Sequence, residues 1–259
     1  MKSLRMNRNQ IKYLVIVAML MDHMAMIWVP RTGALYQAMR FFGRLTDPTM
    51  VYFLVEGYLH TRSVKRYALR LTLFALLSWP AFCLFRYGVL PVRVVPGDMV
   101  GAGIWLFYIA SRNETLIIYP FFGVIYTLLL SLLAVWLYDS KAPRPVKFVG
   151  ILALLWFSRY GDWPYFDVLW ALVFFICRDK PWLKWASYCV IGAFVYFLYT
   201  PWQTQPLTGI FHLGIFVVPL LLLFGYNGQS GSKKAIHKWF FYIFYPAHLL
   251  LLAFLRFGI

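Results

Sequence analysis

The chain has 259 residues, of which 62% are apolar and only 13% charged. That balance excludes an ordinary soluble domain, where charge sits near a quarter, and excludes a disordered chain, which needs the reverse. The formal net charge of +16 does not indicate nucleic acid, because the basic residues fall in short clusters between apolar runs, as membrane topology requires.

A mean hydropathy of +0.67 over the whole length points to a polytopic membrane protein. At about 20 residues per span, the length holds roughly eight to ten helices and no sizeable soluble domain. The expected fold is all-α: one transmembrane helix bundle over residues 1–259. In chain order, the apolar runs predict helices near 11–29, 41–59, 67–86, 116–138, 147–158, 166–178, 183–200, 208–225 and 238–256. The short run Val100 to Ala110 reads as re-entrant or interfacial. Lys2, Arg5, Arg8 and Lys12 precede a first run that ends in bulky Met-Ile-Trp-Val-Pro, so it reads as a retained helix and not a cleaved signal. With the N-terminus in the cytoplasm, every lysine falls on the inner side, while Arg31, Arg40, Arg44, Arg86, Arg93, Arg112, Arg159 and Arg256 fall outside. Cys83, Cys177 and Cys189 lie in apolar runs with no CxxC pair, and no metal site is suggested.

Ionisable groups inside a bilayer are costly and default to functional candidates. Asp22 and His23 lie in the first predicted helix, Glu56 and His60 in the second, and His248 in the last. His23 stands eleven residues beyond Lys12, about 16 Å deeper, and His248 ten residues beyond Lys238, about 15 Å deeper. The two imidazoles reach nearly the same level, though nothing in the sequence brings them together laterally. Eleven residues also make three turns plus about 20°, so Lys12 lies on the His23 face at the cytosolic mouth. A cation there suits an anionic head whose arm reaches the imidazole, the shape of coenzyme A. Tyr52, Glu56 and His60 form one polar stripe at i, i+4, i+8. Asp22 either supports His23 or pairs with an arginine inside the bundle. The alternative for Glu56 is an ion pair with Arg40 or Arg44.

Several blocks resemble the TraX family: Met19-Leu-Met-Asp-His-Met24, Gly43-Arg-Leu-Thr-Asp-Pro48, Phe53-Leu-Val-Glu-Gly-Tyr-Leu-His-Thr-Arg62, Leu132-Leu-Ala-Val-Trp-Leu-Tyr-Asp139 and Phe241-Tyr-Ile-Phe-Tyr-Pro-Ala-His-Leu-Leu250. The resemblance implies acetylation of a pilin amino terminus by acetyl-CoA at a bacterial inner membrane. The chain also resembles the wider superfamily of membrane acyltransferases, whose pattern of a basic residue, ten positions and a histidine is matched by Lys12 and His23. The catalytic expectation is His23 as general base or acyl carrier, helped by Asp22, Glu56 and His248. Lys12, Arg62, Lys65, Arg66 and His60 are expected to hold the donor. The acceptor is expected to be pilin or another envelope molecule, with membrane lipid as the surroundings and no nucleic acid. The competing reading is a proton-coupled transporter using the same intramembrane groups.

Overall fold

The computed structural model describes residues 5–96, 107–110, 114–199 and 206–258. Helix α1 (Arg8–Trp28) opens on a capping box in which the Asn7 side chain takes the Gln10 N–H while the Gln10 side chain takes the Asn7 N–H. Helix α4 (Val64–Tyr87) is capped by the Ser63 hydroxyl and stops at Gly88, whose φ of 70° is the left-handed conformation glycine tolerates. Helix α10 (Ala235–Phe257) packs chiefly on α4. These three helices are long and apolar enough to cross a membrane. At 1.5 Å per residue, the 21 residues of α1 extend about 32 Å, close to a hydrocarbon thickness. The protein is therefore a membrane protein, and its exposed leucines, phenylalanines and tryptophans suit lipid contact.

Helix α5 (Val124–Asp139) ends where its predicted run does, and α6 (Arg144–Ser158), α7 (Phe166–Ile176) and α8 (Pro181–Tyr199) follow theirs closely. The run near 208–225 is a composite, with 3₁₀ turns over Pro206–Phe216, one α-turn, α9 (Val217–Leu220), and a π-turn over Leu221–Gly225. The main core gathers large side chains of α3, α5, α7 and α8, with Trp170 and Tyr188 fully enclosed at its centre.

Two expectations need correction. The run predicted as a helix at 41–59 is divided into α2 (Ala34–Gly43) and α3 (Thr46–His60), so the element starts earlier and breaks at Arg44–Leu45. Pro48 explains the break, because its ring excludes a helical carbonyl four residues before it and is tolerated only in a first turn. The Thr46 hydroxyl then donates to the Val15 carbonyl at 2.7 Å, which ties the start of α3 to the interior of α1. The architecture is all-helical as expected, but it carries one small sheet that the sequence reading did not include. Between α4 and α5, β1 (Val92–Pro96), β2 (Phe107–Ala110) and β3 (Glu114–Ile118) form an antiparallel sheet of order β1-β3-β2, with Val94 opposite Leu116 and Ile109 opposite Leu116. The predicted helix at 116–138 begins only at Val124, since the β-branched Thr115, Ile117 and Ile118 favour a strand and Pro120 blocks helix propagation. Of the run at 100–110, residues 107–110 are strand β2, and the rest lies outside the described residues.

Gly43, the last residue of α2, leans directly against the Asp22 side chain of α1, so any Cβ there would collide with it. Gly43→Ala is expected to cost about 1–3 kcal/mol through overpacking and to lower the Tm of the detergent-solubilised protein by several degrees. An unchanged Tm would mean that α1 and α2 are not held at this distance.

Candidate functional site

A cavity of about 680 Å³ runs between α1, α3, α4, α5 and α10, lined from Arg8 and Lys12 at one end to Arg86 and Tyr87 towards the other. His23 lines it, and His248 meets His23: His23 Nδ1 lies 2.8 Å from His248 Nε2. The rings are nearly parallel, at 10°, with centroids 5.0 Å apart. Both are buried, at 8% and 4% exposure, and walled by Phe85, Phe244 and Tyr245.

The hydrogen-bond network assigns the tautomers. His248 Nδ1 lies 2.9 Å from the Phe244 carbonyl oxygen, which can only accept. His248 Nδ1 therefore carries the proton, and in the neutral ring its Nε2 is an acceptor. His23 must then donate from Nδ1, so its lone pair lies on Nε2. That atom has no protein partner among the described residues. The chain from carbonyl to His248 to His23 orients one imidazole and leaves its basic nitrogen free for a substrate.

Asp22 does not serve either histidine. It holds Arg40 at 2.6 Å and Arg44 at 3.4 Å, which is the pairing with arginines open in the sequence. Arg40 and Arg44 were expected in an outer loop. They sit instead at the end of α2 and in the break after it, with side chains about 11–12% exposed, because that helix begins at Ala34. Spacing of i, i+4 places both guanidiniums on one face. Phe211 lies under both, at 4.8 and 5.1 Å, and Trp163 lies 5.1 Å from Arg44. Asp162, in the connection between α6 and α7, lines the same region. Burial raises its carboxyl above the ordinary range, with the Arg44 and Arg86 guanidiniums opposing that shift.

At the Arg8 end the lining is cationic. Lys12 lies over the rings of Phe241 and Phe53, at 5.2 and 5.8 Å, and forms no salt bridge among the described residues. Arg8, Arg70, Lys233, Lys234 and Lys238 line the mouth with it, and His60 stands beside them. The loop at 226–234 is fastened to α1: the Arg8 N–H donates to the Gln229 carbonyl at 2.8 Å, and the Asn9 amide to the Ser232 carbonyl at 2.8 Å. Arg62, Lys65 and Arg66, expected at the mouth, are exposed and do not line the cavity. Glu56 also stays apart from the histidines. It takes Arg8 at 3.4 Å and the Tyr226 hydroxyl at 2.8 Å, while His60 Nδ1 donates to the Glu56 backbone carbonyl at 2.8 Å. In the sequence, Arg8, Lys233 and Lys234 read only as topology charges. The place of Lys233 and Lys234 at the mouth depends on how the 226–234 loop folds over the start of α1.

The family model described as TraX protein matches residues 7–256. The "Probable fimbrial assembly protein FimC, serogroup H1" of Dichelobacter nodosus is 29% identical over 248 residues, which cover 94% of this chain and 93% of that protein. No solved structure matches.

Replacing Asp22 by Asn would remove the carboxylate that pairs directly with two largely buried guanidiniums, leaving them only the longer-range charge of Asp162. Removing one partner of such a pair costs about 3–5 kcal/mol. The Asp22→Asn variant should therefore lose far more Tm than Glu56→Gln, whose partner Arg8 is more exposed. Equal losses would show that the Asp22 cluster is solvated.

Proposed function

Because the chain belongs to the TraX family, we propose that it is a multi-pass inner-membrane acetyltransferase that moves an acetyl group from cytosolic acetyl-CoA to an amine or hydroxyl acceptor. The acceptor favoured by the family's named activity is a pilin amino terminus, and the relative named for fimbrial assembly supports that choice. In this reading about nine segments cross the bilayer, with the N-terminus in the cytoplasm, so the cationic mouth faces the donor.

The observation that carries the reading is one cavity joining a cationic mouth to an oriented imidazole. Lys12, Arg8, Arg70 and the lysines of the 226–234 loop attract the donor phosphates, and this attraction weakens with salt. The aromatic and aliphatic lining below them suits the pantetheine arm, which places the thioester beside His23 Nε2. The acceptor N–H or O–H loses its proton to that nitrogen as it attacks the carbonyl carbon. The C–S bond breaks, and His23 returns the proton to the CoA thiolate. His248 accepts the His23 Nδ1–H bond throughout and so stabilises the charged ring. The same lone pair would receive the acetyl group in a covalent route. Arg40, Arg44 and Arg86 lie within electrostatic range of His23 and favour negative charge developing on the thioester oxygen.

His23→Ala is expected to lower acetyl transfer by about 10²–10⁴-fold while the protein stays folded in the membrane. Near-wild-type transfer of radiolabelled acetyl groups by this variant would overturn the assignment. Lys12→Ala should raise the apparent KM for acetyl-CoA more than it lowers kcat. An unchanged KM would leave Lys12 only its role in topology.

A further inference from the structure

Asp47 is the second residue of α3, 5% exposed, and it lines the same cavity as His23. No N–H or O–H donor outside its pairing with Asp167 reaches either of its carboxylate oxygens among the described residues. Asp167, at the start of α7 and fully buried, faces it with two further oxygens that find no partner by the same criterion. The Thr127 hydroxyl of α5 stands beside Asp167 but already donates to the Val124 carbonyl at 2.9 Å. The other charged or titratable groups facing Asp47 are Arg44 just before α3, Asp162 from the α6–α7 connection, Tyr188 of α8 and Tyr245 of α10. Arg44 is committed to Asp22, and the Tyr188 hydroxyl donates to the Ile215 carbonyl at 2.9 Å. Tyr245 ties this group to the site, because its ring also contacts His248 with centroids 5.6 Å apart.

Two facing carboxyls in a buried pocket hold a shared proton or a cation, since both cannot stay ionised side by side without one. The wall of the cavity that His23 lines thus presents an acid pair with no dedicated counter-cation among the described residues. This arrangement fits an amine acceptor and would serve no purpose for a hydroxyl. An ammonium must shed two protons to become an amide, and the histidine pair accounts for only one. We infer that Asp47, backed by Asp167, is the seat of the acceptor's ammonium group and takes its first proton.

The step balances. R–NH₃⁺ gives one proton to the Asp47–Asp167 pair, which goes from sharing one proton to holding two. The neutral amine attacks the acetyl carbon and the C–S bond breaks. The second N–H proton passes through His23 Nε2 to the CoA thiolate. The products are the acetamide, CoA thiol and a protonated acid pair, which returns its proton to water. The inference rests on the acetyltransferase reading above and adds that the acceptor is cationic.

The test uses native membranes containing the full chain and its endogenous acceptor, with radiolabelled acetyl-CoA as probe, over pH 6 to 9. Wild type is expected to form hydroxylamine-stable amide across the range. Asp47→Asn should fall at least tenfold at pH 6.5 and recover towards wild type at pH 9, where an α-amine of ordinary pKa near 8 is already neutral. Asp47→Glu, which restores the carboxyl, should keep the wild-type profile. Because an Asn amide can donate to the Asp167 carboxylate in place of the shared proton, Asp47→Asn should keep or raise the Tm. A fall of several degrees would mark a structural role and overturn the inference. So would a pH profile identical to wild type, or a loss that stays equal at every pH. A hydroxylamine-labile ester would overturn the inference while leaving the acetyltransferase reading intact. No acetyl incorporation by wild-type membranes would remove both.

Discussion

A single backbone carbonyl sets the state of the two histidines. The Phe244 oxygen can accept but never donate, so it fixes the His248 proton on Nδ1, and His248 in turn fixes the His23 proton on its own Nδ1. Without that chain the two rings would exchange roles, and the unbonded nitrogen of His23 would be a donor as often as an acceptor. A carboxylate behind a histidine does the same work in other enzymes but brings a charge. In the interior of a membrane protein, a carbonyl of the helix itself holds the ring without burying another ion. The cost is geometric: α10 must present Phe244 and His248 one turn apart, and α1 must approach closely enough for 2.8 Å contact.

That approach depends on the broken α2–α3 element. Gly43 admits the Asp22 side chain at the end of α2, Arg40 and Arg44 grip its two oxygens, and Thr46 bonds the Val15 carbonyl where α3 begins. Three contacts along one face thus hold α1 at the level of His23. The break exposes the first turn of α3 to the cavity, and a non-helical backbone at that depth is tolerated where it faces protein and a polar cavity. It also places Asp47 on the cavity wall, where an unbroken helix over 41–59 would have left it an ordinary interior turn.

Charge is distributed unevenly along the cavity. Among the described residues the lining near Arg8 is cationic, with the Glu56 carboxylate paired to Arg8 behind it, whereas Asp22, Asp47 and Asp162 share the other part with Arg40, Arg44 and Arg86. A polyanion is therefore favoured at one end only, and a mixed polar surface meets whatever enters from the other. Under the proposed reading, this division separates donor from acceptor before either reaches the imidazole, and the field at the mouth is the part most sensitive to ionic strength.

Composition and periodicity determined the membrane character, the order of most helices and the intramembrane polar residues, because a bilayer penalises every exception to apolar filling and leaves those exceptions visible. Quoted blocks carried the family, which the match over residues 7–256 bears out. Equal depths for His23 and His248 were also legible, since rise per residue is constant along a helix. Depth is a one-dimensional quantity, however, and lateral neighbours are not. Only the tertiary structure decided that the two histidines touch, that Asp22 belongs to Arg40 and Arg44, and that Glu56 belongs to Arg8 and Tyr226. It alone decided that Lys233 and Lys234, not Arg62, Lys65 and Arg66, reach the mouth, because contacts between residues more than two hundred positions apart arise from packing, which no local pattern encodes.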